Sequence, residues 1–266
     1  MPDAGASAKL PVSVAIVCKN SAATIGRTID ATKEWAAEIV ALDSGSTDAT
    51  IPLLEAAGAR VVRTEWLGHV KTKQKALEAA SQPWVLSLDS DESPEPALVA
   101  SIRGAVTGND ARVDGYTLNR KVFYDGRFLH HAWQPERRLR LVRNGKAHWQ
   151  GIDPHDQLVL IDPSKTPGRL DGDLRHDSFQ TFEEQLRKQV GYARLMAGEL
   201  VARGDKGSYW RLLTSPPSAF LKQLILKQAY RDGWAGWLAA AATSQQALMK
   251  HALIIELARK GRAGRN

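Results

Sequence analysis

The sequence predicts an α/β protein with a Rossmann-like, mostly parallel sheet, an antiparallel extension and C-terminal amphipathic helices. Three observations carry this. Short β-branched runs alternate with helical stretches up to Leu88. Polar clusters follow the strand runs at their carboxyl ends, where doubly wound sheets bind ligands. Beyond Pro96 the strand runs shorten and the loops between them are rich in His, Trp, Pro and Arg.

Taken in order, residues 11–17 form the first β-branched run and residues 38–43 the second. Between them Ile25, Ile29 and Trp35 recur as one face of a helix. The turn Ser44-Gly-Ser-Thr-Asp48 is rich in helix-capping residues and opens a helix over 51–57, with Pro52 tolerated in its first turn. Residues 59–64 form the third strand, 69–80 a helix and 84–88 the fourth strand. Shorter strands follow over 115–119, 138–142 and 157–161. Thr181-Phe-Glu-Glu184 is a capping box opening a helix to about Arg203. No internal repeat or low-complexity segment occurs.

Composition narrows the function classes. The 266 residues are 43% hydrophobic with 21 glycines, which fits a globular chain rather than a disordered one. The lone Cys18 lies in an apolar run and reads as a packed thiol in a reducing compartment. Residues 1–10 read as a disordered leader without the features of a secretion signal, so a cytoplasmic location is expected. Residues 1–202 hold 25 Lys and Arg against 26 Asp and Glu, whereas 203–266 hold 11 against 3. The basic excess belongs to the tail, which suits an anionic partner; lipid headgroups are favoured, since no nucleic-acid motif is present. The uncharged stretch 233–249 includes Thr243-Ser-Gln-Gln246 and falls short of the about 20 apolar residues of a membrane span. Amphipathic helices with Lys222, Lys227 and Arg231 alternating with Phe220, Leu224 and Ala229 suit peripheral association instead.

The stretch Leu86-Ser-Leu-Asp-Ser-Asp-Glu-Ser-Pro-Glu-Pro96 ends a buried-looking strand in three carboxylates, Asp89, Asp91 and Glu92. Two aspartates flanking one residue at a strand tip suit a hard divalent cation that keeps positions open for substrate phosphates. A solvated turn has the same composition. A phosphatase-type nucleophilic aspartate normally follows the first strand of its fold, whereas here three strands precede it. The clusters Lys19-Asn20, Asp43 to Asp48 and Asp89 to Glu92 would converge on one crevice.

The ordered series Val14-Ala-Ile-Val-Cys-Lys-Asn20, Glu38 to Thr50, Trp66-Leu-Gly68 with Lys71, Lys73 and Gln74, and Leu88-Asp-Ser-Asp-Glu92 resembles glycosyltransferase family 2. More narrowly it is similar to the branch containing lipopolysaccharide core β-1,4-glucosyltransferases. Later pieces agree: Asp114-Gly-Tyr116, Trp133-Gln-Pro-Glu136, Arg140-Leu-Val-Arg143, Pro154-His-Asp156, His176, Gly191-Tyr192 and Asp232-Gly-Trp-Ala-Gly236. The resemblance implies a GT-A fold over residues 11–180, with a nucleotide-binding half at 11–96 and an acceptor half at 97–180; the basic amphipathic pattern makes 181–266 a helical, membrane-associating region.

It also implies a UDP-hexose donor, glucose first, a Mg2+ or Mn2+ ion, and a lipid-linked or phosphorylated saccharide acceptor such as lipopolysaccharide inner core. A fold of this family kept for binding without turnover, or used on a peptide or other acceptor, is the alternative. Carried over by position, Lys19, Asn20, Asp43 and Ser44 would bind the nucleotide, with Asp43 on the base. Asp89 would approach the ribose or the metal, Asp91 would ligate the metal, and Lys73 or Arg140 would meet the diphosphate. The base that takes the acceptor proton would be Asp156, with His155, Glu136 and Asp153 as alternatives; displacement from the opposite side inverts the anomeric centre. Arg137, Arg138, Arg140 and Arg143 are either a solvent face or phosphate ligands. The chain departs from the family pattern at Ser21, where an acid is usual, at Asp156, where Glu is common, and at Glu136, where Asp is common.

Overall fold

The computed structural model describes residues 8–152 and 155–263. Residues 1–7 of the expected leader lie outside that range, and Leu10 already belongs to the first strand. The chain divides into two compact units, one of residues 1–120 with 136–177, the other of residues 121–135 with 178–266.

The first unit opens with β1 (Leu10–Cys18), α1 (Ile25–Asp30), β2 (Ala36–Asp43), α2 (Thr50–Ala56), β3 (Arg60–Arg63), α3 (His69–Glu78) and β4 (Trp84–Asp89). Then come β5 (Glu92–Pro94), α4 (Pro96–Gly108) and β6 (Gly115–Tyr124), the last running on into the second unit, where it pairs with β7 (Arg127–Phe128). β8 (Arg137–Arg143), β9 (Ala147–Ile152), β10 (His155–Leu160) and β11 (Gly168–His176) complete it. The main sheet has the order β3-β2-β1-β4-β8-β6-β11-β5. β1 pairs in parallel with β2 and β4, β2 with β3, and the sheet turns antiparallel from β4 to β8 onward. This is the predicted class, and the order reverses between β1 and β4, the switch point beyond which open sheets bind ligands. Register brings the strand tips level: Cys18 lies opposite Asp43, and Val17 opposite Asp89.

β1 is apolar without interruption from Val14 to Cys18 because both of its faces are covered. Val12, Val14 and Ile16 join Trp84, Leu86 and Leu88 in one core cluster; Ala15 joins Val40, Leu42, Ala76 and Leu77 in the other. Burial and the neighbouring Asp43 push the Cys18 thiol up to about 12, which leaves it inert at neutral pH.

Two elements correct the sequence reading. The expected shorter strands beyond Pro96 are preceded by a full helix, α4, with Pro96 in its first turn and Leu98, Ile102 and Val106 buried one turn apart. The strand expected at 157–161 belongs to a separate hairpin, in which β10 pairs with β9. The strands β5 and β11, absent from the sequence reading, pair antiparallel with His176 opposite Glu92. β11 passes against α4 at Gly172, whose φ of +86° and closeness to the Leu98 backbone leave no room for a side chain.

The second unit contains α5 (Phe182–Ala202), α6 (Tyr209–Leu221), a π turn at Lys222–Leu226, a short 3₁₀ turn at Ala229–Asp232 and α7 (Trp234–Ala263). Thr181 caps α5 as expected, its hydroxyl accepting from the Glu184 N–H. Its core gathers Val122, Leu129, Ala132 and Phe179 with Ala229, Ala235 and Ala239. The Asp232 carboxylate accepts the backbone N–H groups of His130, His131 and Ala132 at 3.0, 2.9 and 2.8 Å, fixing the 121–135 segment within this unit. α6 continues through Pro216 and Pro217.

Gly172→Ala should therefore lower the unfolding free energy by about 2 kcal/mol or more, since a left-handed non-glycine residue costs about 1–2 kcal/mol before any clash. Gly104→Ala, inside α4 with open space around it, should raise stability by about 0.5–1 kcal/mol. Urea midpoints for the two variants check this; equal midpoints would refute the packing described at Gly172.

Candidate active site

The three predicted clusters do meet at the strand tips. Asn20, at φ +50°, braces the loop after β1 against the loop after β2: its N–H reaches the Ser46 hydroxyl at 2.8 Å and its Oδ1 accepts the Thr47 N–H at 2.8 Å. Lys19 is exposed beside it. Asp43 is buried and takes the Gly45 and Ser46 N–H groups on Oδ1, with the Ser46 hydroxyl on Oδ2. Next to it the buried Ser44 hydroxyl has no partner among the described residues, a polar atom suited to a ligand. Asp48 accepts from Ala22 N–H and Thr50 N–H, both at 3.0 Å; the N-cap of α2 is Ala49, so Asp48 braces the turn before the helix and is not its cap. Ser21 meets the Ser90 hydroxyl at 2.8 Å, so the residue that replaces the usual acid braces the acidic tip.

At that tip the three carboxylates separate into different environments. Asp89 sits between Lys73 Nζ at 2.8 Å and Arg140 Nη2 at 3.4 Å. Burial would raise its proton affinity, but these two cations outweigh it and hold the carboxyl well below its usual range. Glu92 is fully buried, with Arg120 and Arg140 each 3.1 Å from Oε1 and the Asp89 N–H on Oε2. Asp91 points elsewhere, its Oδ2 3.6 Å from His176 Nε2, and its backbone carbonyl accepts the Asp177 N–H at 2.9 Å. The pairing of β5 with β11 brings His176 there, a relation no local pattern reveals.

The network continues on both sides. Lys73 Nζ also reaches Asp156 Oδ2 at 2.8 Å, bridging the strand tip and the β10 hairpin. Burial would lower the Lys73 pKa; Asp89 and Asp156 overcome that and raise it, so Lys73 stays charged. Lys73 and Arg140 both lie against the Trp149 ring, at 4.8 and 5.3 Å. At the other end Glu136 pairs with Arg120 at 2.6 Å and Arg138 at 2.8 Å. Asp156, Lys73, Asp89, Arg140, Glu92, Arg120, Glu136 and Arg138 thus form one chain of alternating charge.

The predicted site residues fall into groups. Lys73, Asp89, Arg140 and Asp156 are joined directly, and Glu136 only through Glu92 and Arg120. Lys19, Asn20, Asp43 and Ser44 form the neighbouring strand-tip loops. Asp153 and the side chain of His155 lie outside the described residues. The four arginines are neither a uniform solvent face nor a uniform phosphate cluster: Arg137 donates to the Leu170 carbonyl, and Arg143 to the carbonyls of Val113 and Asp110. Sequence reasoning did not select Arg120, which carries no local sign beyond being one of two adjacent cations, with Lys121, in β6.

A divalent cation at this tip would need donors that are not already taken by cations. Among the described residues no group of three or more His, Cys, Asp or Glu could enclose one. Both oxygens of Asp89 face cations, which makes it a poorer ligand than its sequence position suggested. Asp91 and His176, 27% and 15% exposed, fit the one or two protein ligands of an ion that draws the rest from water and phosphate.

Glu136 makes a pH prediction. Burial alone would raise its pKa, but Arg120 and Arg138 lower it from 4.5 to about 2. A depressed carboxyl stabilises the fold above its unfolded pKa and loses that contribution as pH falls toward the folded value. About 3 kcal/mol of stability present at pH 5 should therefore fade between about 4.5 and 2. Glu136→Gln should flatten that limb in urea unfolding across pH; an identical limb would refute the pairing.

The model of Glycosyl transferase family 2 matches residues 13–161. The chain is 32% identical over 258 residues to the lipopolysaccharide core biosynthesis glycosyltransferase LpsC of Rhizobium meliloti, covering 93% of each protein. It is 28% identical to the uncharacterized glycosyltransferase RP128 of Rickettsia prowazekii, over 85% of this chain and 80% of that one. Among solved structures, glucosyl-3-phosphoglycerate synthase from Mycobacterium tuberculosis, in complex with Mn2+, UDP and glucosyl-3-phosphoglycerate, matches 46% of each chain at 31% identity and a TM-score of 0.35, too low to bear on the fold. The sheet has the GT-A organisation the sequence led us to expect. With more than half its length under the family model and LpsC aligned nearly end to end, the chain belongs to glycosyltransferase family 2 and is a glycosyltransferase.

Proposed function

We propose that the enzyme transfers a hexose, glucose in the first instance, from a UDP-sugar to a lipid-linked or phosphorylated saccharide of the lipopolysaccharide inner core, with inversion. The acceptor class is supported by the likeness to LpsC, which is named for lipopolysaccharide core biosynthesis. The observation that carries the chemistry is Lys73, held at 2.8 Å by both Asp89 at the strand tip and Asp156 on the hairpin. An ammonium has three donors, so one remains to meet a diphosphate oxygen.

Asp156 takes the proton of the acceptor hydroxyl as that oxygen bonds to the anomeric carbon. The bond from that carbon to the diphosphate breaks, and its electron pair leaves with UDP. Lys73 and Arg140 offset the charge that grows on the leaving group. Asp43, Ser44, Lys19 and Asn20 hold the nucleotide. Mg2+ or Mn2+ bound at Asp91 and His176 would neutralise the diphosphate as a Lewis acid. Glu136 is the weaker candidate for the base, because two guanidiniums keep its proton affinity low.

Asp156→Asn should lower kcat about 10²- to 10⁴-fold with the fold intact. Glu136→Gln should act mainly on stability. Both are read by transfer from a panel of UDP-sugars to delipidated and intact core acceptors, with circular dichroism alongside. Wild-type turnover by Asp156→Asn sinks the assignment of the base; inertness of the wild type toward every UDP-sugar sinks the donor class.

A further inference from the structure

The helix α6 has no buried residue, although much of it is apolar. Its outward face carries Trp210, Leu213 and Leu221 at helical spacing, and the π turn continues it with Ile225 and Leu226. Trp210 is 75% exposed, Leu213 72% and Leu226 76%. Scattered exposed apolar residues are ordinary, but a stripe on one face is a contact surface. It is also not the face the amphipathic pattern suggested, because Leu224 and Ala229 are buried in the second unit.

The charges beside the stripe identify its partner. Arg211 and Lys222 are exposed alongside it, and Lys227 and Arg231 follow. Across residues 209–237 the sole acid is Asp232, whose carboxylate already receives three backbone N–H groups. An apolar stripe containing Trp with cations at its margin matches the boundary between acyl chains and anionic headgroups. A second copy laid face to face would bring Lys222, Lys227 and Arg231 against their counterparts, since Asp205, 3.6 Å from Arg211, offsets that cation and not these. No helix among the described residues is long and apolar enough to cross a membrane, so contact would be by lying on the surface.

We propose that α6 and the following π turn rest on an anionic lipid bilayer, with Trp210, Leu213 and Leu226 entering the interface and Arg211 and Lys222 meeting lipid phosphates. Its value to catalysis rests on the lipid-linked acceptor proposed above; adsorption itself does not.

The test is flotation of the full chain with vesicles of phosphatidylethanolamine and phosphatidylglycerol, against vesicles of phosphatidylcholine. The wild type should float with the anionic vesicles, less so at high salt. The triple variant Trp210→Ser, Leu213→Ser, Leu226→Ser should reduce binding about ten-fold or more, given the transfer cost of large apolar side chains. Lys222→Gln should reduce binding to anionic vesicles about five-fold and leave binding to phosphatidylcholine unchanged. All substituted side chains are exposed, and unchanged thermal unfolding would verify the fold. Absence of wild-type flotation, or equal flotation of the triple variant, overturns the proposal. So does concentration-dependent dimerisation that the triple variant abolishes without any vesicle binding. Transfer to a delipidated acceptor should be the same in wild type and triple variant. If flotation behaves as expected but no lipid-linked saccharide is glycosylated, the acceptor assignment fails while the docking surface stands.

Discussion

The structure of the first unit depends on one constraint: eight charged side chains must neutralise each other in strict alternation. Glu92, fully buried, is the pivot, because Arg120 and Arg140 both converge on its Oε1 and the Asp89 N–H occupies the other oxygen. Burying charges this way costs desolvation that geometry must recover, so such networks tolerate little disturbance. Removing one member leaves its partner unpaired in a poorly solvated place, which costs about 3–5 kcal/mol for buried pairs. The same network sets the chemistry, since it decides which carboxylates remain available to a ligand.

That answers why a core strand should end in crowded negative charge. The three acids have three uses. Glu92 is structural, Asp89 is held between Lys73 and Arg140, and Asp91 is turned toward His176. Adjacent in sequence, they are distinguished by the strands that arrive from far along the chain.

How much of this was legible follows from the same distinction. The alternation of strands and helices, the polar tips of β1, β2 and β4, and the capping box at Thr181 are local patterns, and each was readable from residue type and spacing. α4 was readable too: Leu98, Ile102 and Val106 repeat at one helical turn, and only the prolines before them drew attention away. The partners of Glu92 were not readable, because Arg120 and Arg140 lie on β6 and β8, whose register against β4 is a tertiary matter. His176 reached Asp91 through the β5–β11 pairing, and β5 is only three residues long. In the second unit an amphipathic pattern was visible, but which face pointed outward was not, since the π turn displaces the later residues from regular helical spacing.

The cross-bracing of Asn20 with Ser46 and Thr47, together with Asp48 holding the Ala22 N–H, ties the loop after β1 to the loop after β2 before any ligand arrives. Ordering two independent loops would subtract from the affinity for a nucleotide; here that conformational entropy has been surrendered during folding. Under the nucleotide role proposed for these loops, recognition of the donor would be rigid there.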